Sequence, residues 1–409
     1  GGSNTAVGES ALANNTTADN NTSVGFQALT TNTTGHSNTA VGFEAGKANT
    51  TGIRLTAFGY QAGKAHVATG NVQNVFVGNE AGLGNTTGVT NTFIGGSAGA
   101  ANTTAANNVA VGTNSLGANT TGGTNTALGT SSLQANTTAS NNTAVGHGAL
   151  AANTTGTRNN SLGNSSLVAN TTGDNNTALG TQALQANTTA DGNTAVGYAA
   201  LNVNTTGAAN VALGQFALLA NTTGATNTAI GRDALTANTT ATNNTAVGAS
   251  ALGANTTGVE NVAVGRLSAV SVTTGSANVF LGHNAGTHSV ATTTGGTNTI
   301  VGSYAHTSAV DTTSANGFGH DLACAAGYTA VGIGADDIRA AHGTATWAAV
   351  SDERYKKDIV DSTAGLSFIN ALQPRTFKYK TLGELPEAFR AYKADSTKVF
   401  KNSDTNHGF

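Results

Sequence analysis

The sequence is poor in cysteine and proline, the residues that cross-link a chain and interrupt its regular secondary structure. It contains one cysteine, so no disulfide can form within the chain, and we expect the Cys324 thiol to be a small buried apolar group. It contains two prolines, Pro374 and Pro386, both near the C-terminus. It has no run of eighteen apolar residues, which predicts that this segment inserts no helix into a membrane.

Charge is scarce and unevenly distributed. Only 9% of the residues are charged, and ten of the 17 basic and eight of the 20 acidic residues follow Val350. Residues 1–350 therefore carry seven basic and twelve acidic residues, a net charge of about −5. Such a surface lacks the basic patch that nucleic-acid binding requires, so we exclude nucleic acid as a partner. The change in composition predicts a domain boundary within residues 335–350.

The dominant feature is an aliphatic residue followed by glycine, which returns every seventeen residues. The anchor glycines are Gly8, Gly25, Gly42, Gly59, Gly78, Gly95, Gly112, Gly129, Gly146, Gly163, Gly180, Gly197, Gly214, Gly231, Gly248, Gly265, Gly282, Gly302, Gly319 and Gly332. Only the steps into Gly78, Gly302 and Gly332 depart from this period. A short fixed period indicates one coil per repeat, stacked along an axis. We predict an all-β fold, a parallel β-solenoid of 17-residue coils over residues 1–334.

The consensus coil reads N-T-A-(V/L/I)-G-x-x-(A/S)-L-x-A-N-T-T-G-x-x. Alternation over the first four residues predicts a short strand, and equivalent residues of successive coils should lie about 4.7–4.9 Å apart. We therefore expect the aliphatic residue before each glycine to build a continuous dry core. The asparagine column should hydrogen-bond from amide to amide along the axis. The A-N-T-T-G segment predicts a turn with left-handed backbone, and its N-T-T triplets match a glycosylation sequon that we expect to stay unmodified.

The supply of large apolar side chains is thin. Two aliphatic residues per coil, at about 1.5–3 kcal/mol each when buried, barely offset the entropy of ordering seventeen residues. The alanine column, represented by Ala6 and Ala40, offers a flat surface that another chain could approach closely. We therefore predict a homotrimer in which three solenoids pack along the alanine column.

The N-T-A-V-G-x-x-A-L repeat resembles the head repeats of trimeric autotransporter adhesins, which form left-handed parallel β-rolls in trimers. The resemblance covers residues 1 to about 334, although the adhesin repeat is shorter than seventeen residues. The resemblance implies a left-handed β-roll. The spacing of the repeats alone does not determine this handedness.

The C-terminal region carries a second resemblance. Residues 351–356 contain an S-D-x-R-x-K core, and a Leu…Leu-x-P…F-K-Y segment and a closing H-G-F follow. These motifs are similar to the intramolecular chaperone domain of phage tail fibres and endosialidase tailspikes, the S74 peptidases. The resemblance implies a small α+β module over residues 351–409, preceded by a linker over residues 335–350. Around Pro374 the pattern predicts a short helix followed by a strand. The family's last motif usually runs on for tens of residues, which implies that this module is incomplete.

The S74 resemblance implies a self-cleaving dyad. In it Ser351 is the nucleophile and Lys356 the general base, and cleavage falls at Val350–Ser351 after trimerisation. A serine hydroxyl needs a neighbouring base, and a lysine can act as one near neutral pH only when burial lowers its pKa. The alternative interpretation of this segment is a solvated charged linker.

Two further groups of residues could form sites on the surface of the solenoid. Asp174 and Asp191 share one coil position on neighbouring coils, and a glycosidase needs two carboxylates, but we interpret both as residues of a solvated loop. Phe26, Phe43 and Tyr60 follow consecutive anchor glycines, which predicts either a contact patch or simple side-chain stacking. We expect no substrate-directed activity, no cofactor and no metal.

These observations predict a structural fibre shaft, or adhesin, of phage tail-fibre type, trimerised by a self-cleaving C-terminal chaperone. Its partners would be its own copies and a host-cell surface glycan or protein receptor, and its location extracellular, on a virion. The alternative is a trimeric adhesin of the bacterial cell surface or an extracellular filament subunit. The chain opens inside a repeat without an initiator methionine, so we expect further domains upstream. A membrane anchor there would favour the alternative, and a virion-attachment domain the tail fibre.

Overall fold

The computed structural model describes residues 2–344 together with the backbone of Ala348–Ala349, Arg375–Phe377 and Asn406–Gly408. The chain divides into two compact units, Gly1–Val350 and Ser351–Phe409. Within the described residues every regular element is a strand and no helix occurs. The strands are β1 (Thr5–Val7), β2 (Thr22–Val24), β3 (Thr39–Val41), β4 (Gly52–Ile53), β5 (Thr56–Phe58), β6 (Gly70–Asn71), β7 (Val75–Val77), β8 (Thr92–Ile94), β9 (Val109–Val111), β10 (Thr126–Leu128), β11 (Thr143–Val145), β12 (Asn160–Leu162), β13 (Thr177–Leu179), β14 (Thr194–Val196), β15 (Val211–Leu213), β16 (Thr228–Ile230), β17 (Thr245–Val247), β18 (Val262–Val264), β19 (Val279–Leu281), β20 (Thr299–Val301), β21 (His306–Thr307), β22 (Asn316–His320), β23 (Ala323–Cys324), β24 (Tyr328–Ile333), β25 (Asp336–Ala341), β26 (Ala348–Ala349), β27 (Arg375–Phe377) and β28 (Asn406–Gly408).

The first unit is a parallel β-solenoid with one main strand per coil. Each main strand pairs in register with the strand of the next coil, so that Ala127 of β10 lies between Ala110 of β9 and Ala144 of β11. The strands β4 and β6, and likewise β21 and β23, form two small parallel pairs beside the main sheet. The predicted all-β solenoid of 17-residue coils is confirmed.

The parallel stack ends in an antiparallel meander. Strand β24 pairs with β25, and β25 pairs with β26 through Ile338 and Arg339. The segment predicted as a linker therefore contains two strands, while the domain limits at residues 334 and 350 stay predictions. In the second unit β27, which follows Pro374 as predicted, pairs with β28, and Thr376 lies opposite His407.

The core differs from the prediction, because the residue before each anchor glycine points outward. In β10 the alanine is fully buried, whereas Leu128 is 38% exposed. Successive side chains of a strand alternate between its faces, and only a small side chain fits inside so narrow a coil. A column of leucines, such as Leu116 and Leu133, completes the core. The predicted aliphatic core was therefore wrong, and the buried alanine column cannot serve as a contact between chains.

The anchor glycines are required by the close stacking of the coils. Gly129 has φ +134°, and a Cβ there would lie 2.5 Å from the carbonyl oxygen of Gly146 in the next coil. The predicted left-handed turn at A-N-T-T-G was wrong. Gly122 in that segment has no left-handed backbone, and it is small because a Cβ would overlap the carbonyl of Ala139. Left-handed conformations occur instead at positions such as Asn114 and Leu116, with φ values of 56° and 51°.

Two buried asparagine columns satisfy the polar backbone inside the coils. In the first, Asn125 donates its backbone N–H to the amide oxygen of Asn108 at 2.9 Å. In the second, the amide of Asn119 donates to the amide oxygen of Asn102 at 2.9 Å, the bond from amide to amide that was expected. Buried amides are stable only when paired in this way. The N-T-T asparagines belong to the second column, so their side chains are not accessible for glycosylation in the folded coil.

Three coils replace the core alanine by phenylalanine, and each compensates with a glycine. Phe76, Phe93 and Phe280 are fully buried. The leucine that normally lies six residues later is then a glycine, as at Gly99, where a Cβ would lie 2.6 Å from the ring of Phe93. The large and the small residue exchange columns, so the core volume of the coil is conserved.

This exchange can be tested by a double-mutant cycle. Phe93→Ala should destabilise the fold by about 3–5 kcal/mol through a cavity. Gly99→Leu should also destabilise it, because the new side chain overlaps the ring of Phe93. The double variant recreates the consensus coil, so its midpoint of thermal unfolding should return close to that of the parent. Additive destabilisation in the double variant would contradict the proposed exchange.

Candidate functional site

The predicted catalytic pair lies outside the described residues. Nothing in the structure therefore bears on the roles of Ser351 and Lys356, which stay predictions. Strand β26 ends one residue before the predicted scissile bond at Val350–Ser351 and is held by β25. The backbone leading to that bond thus belongs to the meander of the first unit.

The outward residues that precede the anchor glycines form an apolar stripe, which we name the outer aliphatic column. Its most exposed members are Val7, Phe58, Ile94, Leu128, Leu162, Leu179, Leu213, Val264, Phe318 and Val331. A contiguous apolar patch on the surface of a protein often marks an interface with another molecule. The repeat pattern had identified these residues correctly as equivalent but had placed them inside the coil.

Phe26, Phe43 and Tyr60 stack in register on the surface. Each pair of successive ring centroids lies 5.2 Å apart, with interplanar angles of 13° and 10°. The rings cover one another's faces and present their edges to solvent. The stacking interpretation is therefore confirmed, and the ring faces inside the stack are not available as a platform for a ligand.

Beside this aromatic stack lies a surface groove, which we name the lysine groove. Its cavity volume is about 550 Å³, and its lining residues are Thr31, Lys47, Ala48, Gln61, Lys64, Ala65, Leu83 and Gly84. This groove was not among the sites predicted from the sequence. The available signal was that Lys47 and Lys64, seventeen residues apart, occupy one coil position and are the only lysines of residues 1–350.

Both lysines of the groove are held by one carboxylate. The Glu44 carboxylate lies 2.6 Å from Nζ of Lys47 and 2.7 Å from Nζ of Lys64, and it accepts a bond from the amide of Gln61 at 2.8 Å. Hydrogen bonds from Lys47 and then Lys64 lower the pKa of Glu44 from 4.5 to about 2, against the opposing effect of burial. Glu44 is therefore ionised at neutral pH.

The paired aspartates have a structural role. Asp191 accepts the backbone N–H of Asp174 at 2.7 Å, and Asp174 accepts the backbone N–H of Thr157 at 2.6 Å. Each carboxylate thus caps the preceding coil instead of facing its partner.

Cys324 is buried, as expected, and burial raises the pKa of its thiol. Among the described residues no group of three or more His, Cys, Asp or Glu side chains could hold a metal ion.

Comparison with known proteins identifies the C-terminal region. Residues 351–399 match the family described as the chaperone of endosialidase, peptidase S74. No curated protein matches the chain. A parallel β-solenoid followed by an S74 chaperone segment fits a protein of tail-fibre type. The described part of the chain contains no helix with the length and hydropathy needed to span a bilayer.

One buried histidine interrupts the second asparagine column. His66 is fully buried between Asn49 and Asn85, and its Nδ1 lies 3.0 Å from the amide nitrogen of Asn85. Among the described residues its Nε2 and the amide oxygen of Asn49 have no hydrogen-bond partner. Burial lowers the pKa of His66 from 6.5 to about 4, so the folded chain holds this ring neutral.

We expect His66 to make the solenoid sensitive to acid. Between pH 6.5 and 4 the unfolded chain binds a proton at His66 and the folded chain does not, so stability falls as the pH is lowered through this window. The loss amounts to at most about 3.4 kcal/mol. His66→Asn should remove this component of the pH dependence, measured as the midpoint of thermal unfolding at pH 4 to 8. The exposed His36→Asn is the control, and an unchanged pH profile in His66→Asn would refute the assignment.

Proposed function

We propose that this chain is the shaft of a homotrimeric fibre of tail-fibre type, located outside the cell and assembled with the help of its C-terminal chaperone. Its role is structural and adhesive, since a stiff solenoid can hold a receptor-binding surface away from a virion. The observation that carries the proposal is the S74 match, which begins at Ser351, directly after the solenoid unit. The repeat would also suit a bacterial surface adhesin or filament subunit, but the S74 match favours the tail fibre.

The outer aliphatic column is the contact surface that the trimer needs. It replaces the alanine column of the sequence prediction, because alanine lies inside the coil and Leu128 or Leu213 lies outside. Burial of apolar surface contributes about 25 cal/mol per Å², and a stripe along the coils repeats that contribution in each one. Three such stripes meeting on a common axis would remove from water the surface that a single chain leaves exposed.

Self-cleavage would complete assembly. The Ser351 hydroxyl attacks the Val350 carbonyl while Lys356 takes its proton. Lys356 returns this proton to the peptide nitrogen, which leaves as the amine of Ser351, and water then hydrolyses the ester to free the Val350 carboxylate. Because β26 pairs with β25 before this bond, the cut would leave the meander of the first unit whole. Removal of the chaperone would make unfolding irreversible, so the persistence of the assembled fibre would be governed by its rate of unfolding.

The trimer can be tested through the outer aliphatic column. Light scattering with size exclusion should give three times the mass of the chain, or of its 1–350 fragment once the chain has been cut. Leu213→Glu should prevent assembly, because three carboxylates would be buried together on the axis. Thr223→Glu, on an exposed position of another side of the same coil, is the matched control and should remain trimeric. A monomeric parent chain would refute the proposal, and a trimeric Leu213→Glu would refute the assigned contact surface.

Processing can be tested through the proposed nucleophile. The full chain should yield two fragments that separate between Val350 and Ser351, detected by intact mass. Ser351→Ala should abolish the cut, and Ser362→Ala in the same region should not. Cleavage that persists in Ser351→Ala, or a parent chain that is never cut at this bond, would contradict the assignment.

A further inference from the structure

We propose that the lysine groove is a binding site for an anionic saccharide, and this inference rests on the proposed function of a fibre that attaches to a surface. The site lies in the segment after the anchor glycines, apart from the outer aliphatic column. It would provide the shaft itself with a receptor contact, in addition to any that other domains supply.

The groove contains every lysine of residues 1–350, a region in which charged residues are scarce. Residues 1–350 contain only two lysines, and both line the groove. The lining includes no acidic residue. The equivalent groove further along, lined by Ser97, Ala100, Asn114, Gly117, Ala118 and Gln134, contains no charged residue and has a volume of about 240 Å³. The lysine groove is thus a local departure from the repeat and not a general property of the coil.

The lysines are ordered before any ligand arrives. Glu44 is only 8% exposed, and it holds both ammonium groups by short ion pairs from below the surface. The side chains of Lys47 and Lys64 remain 32% and 36% exposed. An ammonium has three donors, so each lysine keeps donors for a ligand, and two ammonium groups over one carboxylate leave one positive charge. Such preorganisation reduces the entropy lost on binding.

The lining of the groove favours a sugar over a peptide. It combines the small residues Ala48, Ala65 and Gly84 with the apolar side chain of Leu83 and the amide of Gln61. Pockets of about 300–1,000 Å³ suit small ligands, and a sugar ring combines an apolar face with polar edges. A peptide that binds by adding a strand needs a free edge. Here the backbone is paired between coils, since Ala48 N–H donates to Lys64 at 3.0 Å and Ala65 N–H to Leu83 at 3.1 Å.

The test is calorimetric binding of four polymers to the full chain. Oligogalacturonate is the carboxylated probe, dextran the neutral one, dextran sulfate the sulfated one and polyglutamate the acidic peptide. We expect oligogalacturonate to bind, with an affinity that falls as salt is added. The double variant Lys47→Gln/Lys64→Gln should weaken this binding at least tenfold. Arg232→Gln, which removes an exposed cation elsewhere on the solenoid, should not change it.

Each outcome decides the proposal. Equal binding of dextran would exclude recognition of charge, and stronger binding of polyglutamate would identify a protein-binding surface; both outcomes overturn the proposal. Binding of dextran sulfate alongside oligogalacturonate supports it, because both polymers are anionic saccharides. Ala65→Glu keeps both lysines and adds a competing carboxylate, so it should also abolish binding if the double variant fails to fold. The mass of each variant is measured in parallel. Undiminished binding by trimeric variants would overturn the groove alone, whereas a monomeric parent would overturn the proposed function.

Discussion

The close, in-register approach of successive coils is the constraint on which the structure depends. At the anchor glycines the backbone of one coil lies in close contact with the backbone of the next, as at Gly129 and Gly146. A side chain larger than hydrogen at Gly129 would overlap the carbonyl group of Gly146. Once the coils lie this close, equivalent residues must form columns. The amide of Asn119 is satisfied partly for that reason, because it donates to the equivalent Asn102 of the neighbouring coil as well as to Gly122 of its own coil. Polar and apolar columns therefore stabilise the solenoid through one geometric repeat.

The period predicts the class of fold, the position of each strand and the pairing of the asparagines, since all three follow from translation along an axis. It does not predict which side of the strand faces inward. Hydropathy favours valine over alanine for a core, but the coil interior accommodates only the smaller side chain beside a leucine such as Leu116. The space inside the coil therefore decides which face of the strand is buried. The three phenylalanine coils illustrate this, because Phe93 fits in the interior only beside Gly99, where a larger residue would overlap its ring.

The candidate sites differ in how well they can be predicted from the sequence. Ser351 and Lys356 come from resemblance to a family, since a serine and a lysine five residues apart would otherwise indicate little. The lysine groove depends on three side chains from two coils that meet only when the coils stack. Its signal in the sequence is the recurrence of lysine after seventeen residues, at Lys47 and Lys64, in a region with no other lysine. Glu44 becomes meaningful only through its burial beneath both.

Departures from the repeat are the most informative positions in a solenoid. Each one alters two neighbouring interfaces, so a departure that is not compensated costs stability. Several of them fall close together in the chain, namely Lys47, Lys64, His66 and Phe76. Phe76 is compensated by glycines, whereas His66 leaves two buried polar atoms without partners among the described residues. This stretch combines the destabilising His66 with an ordered pair of lysines. We therefore expect ligand recognition in this stretch and a structural role for the regular coils.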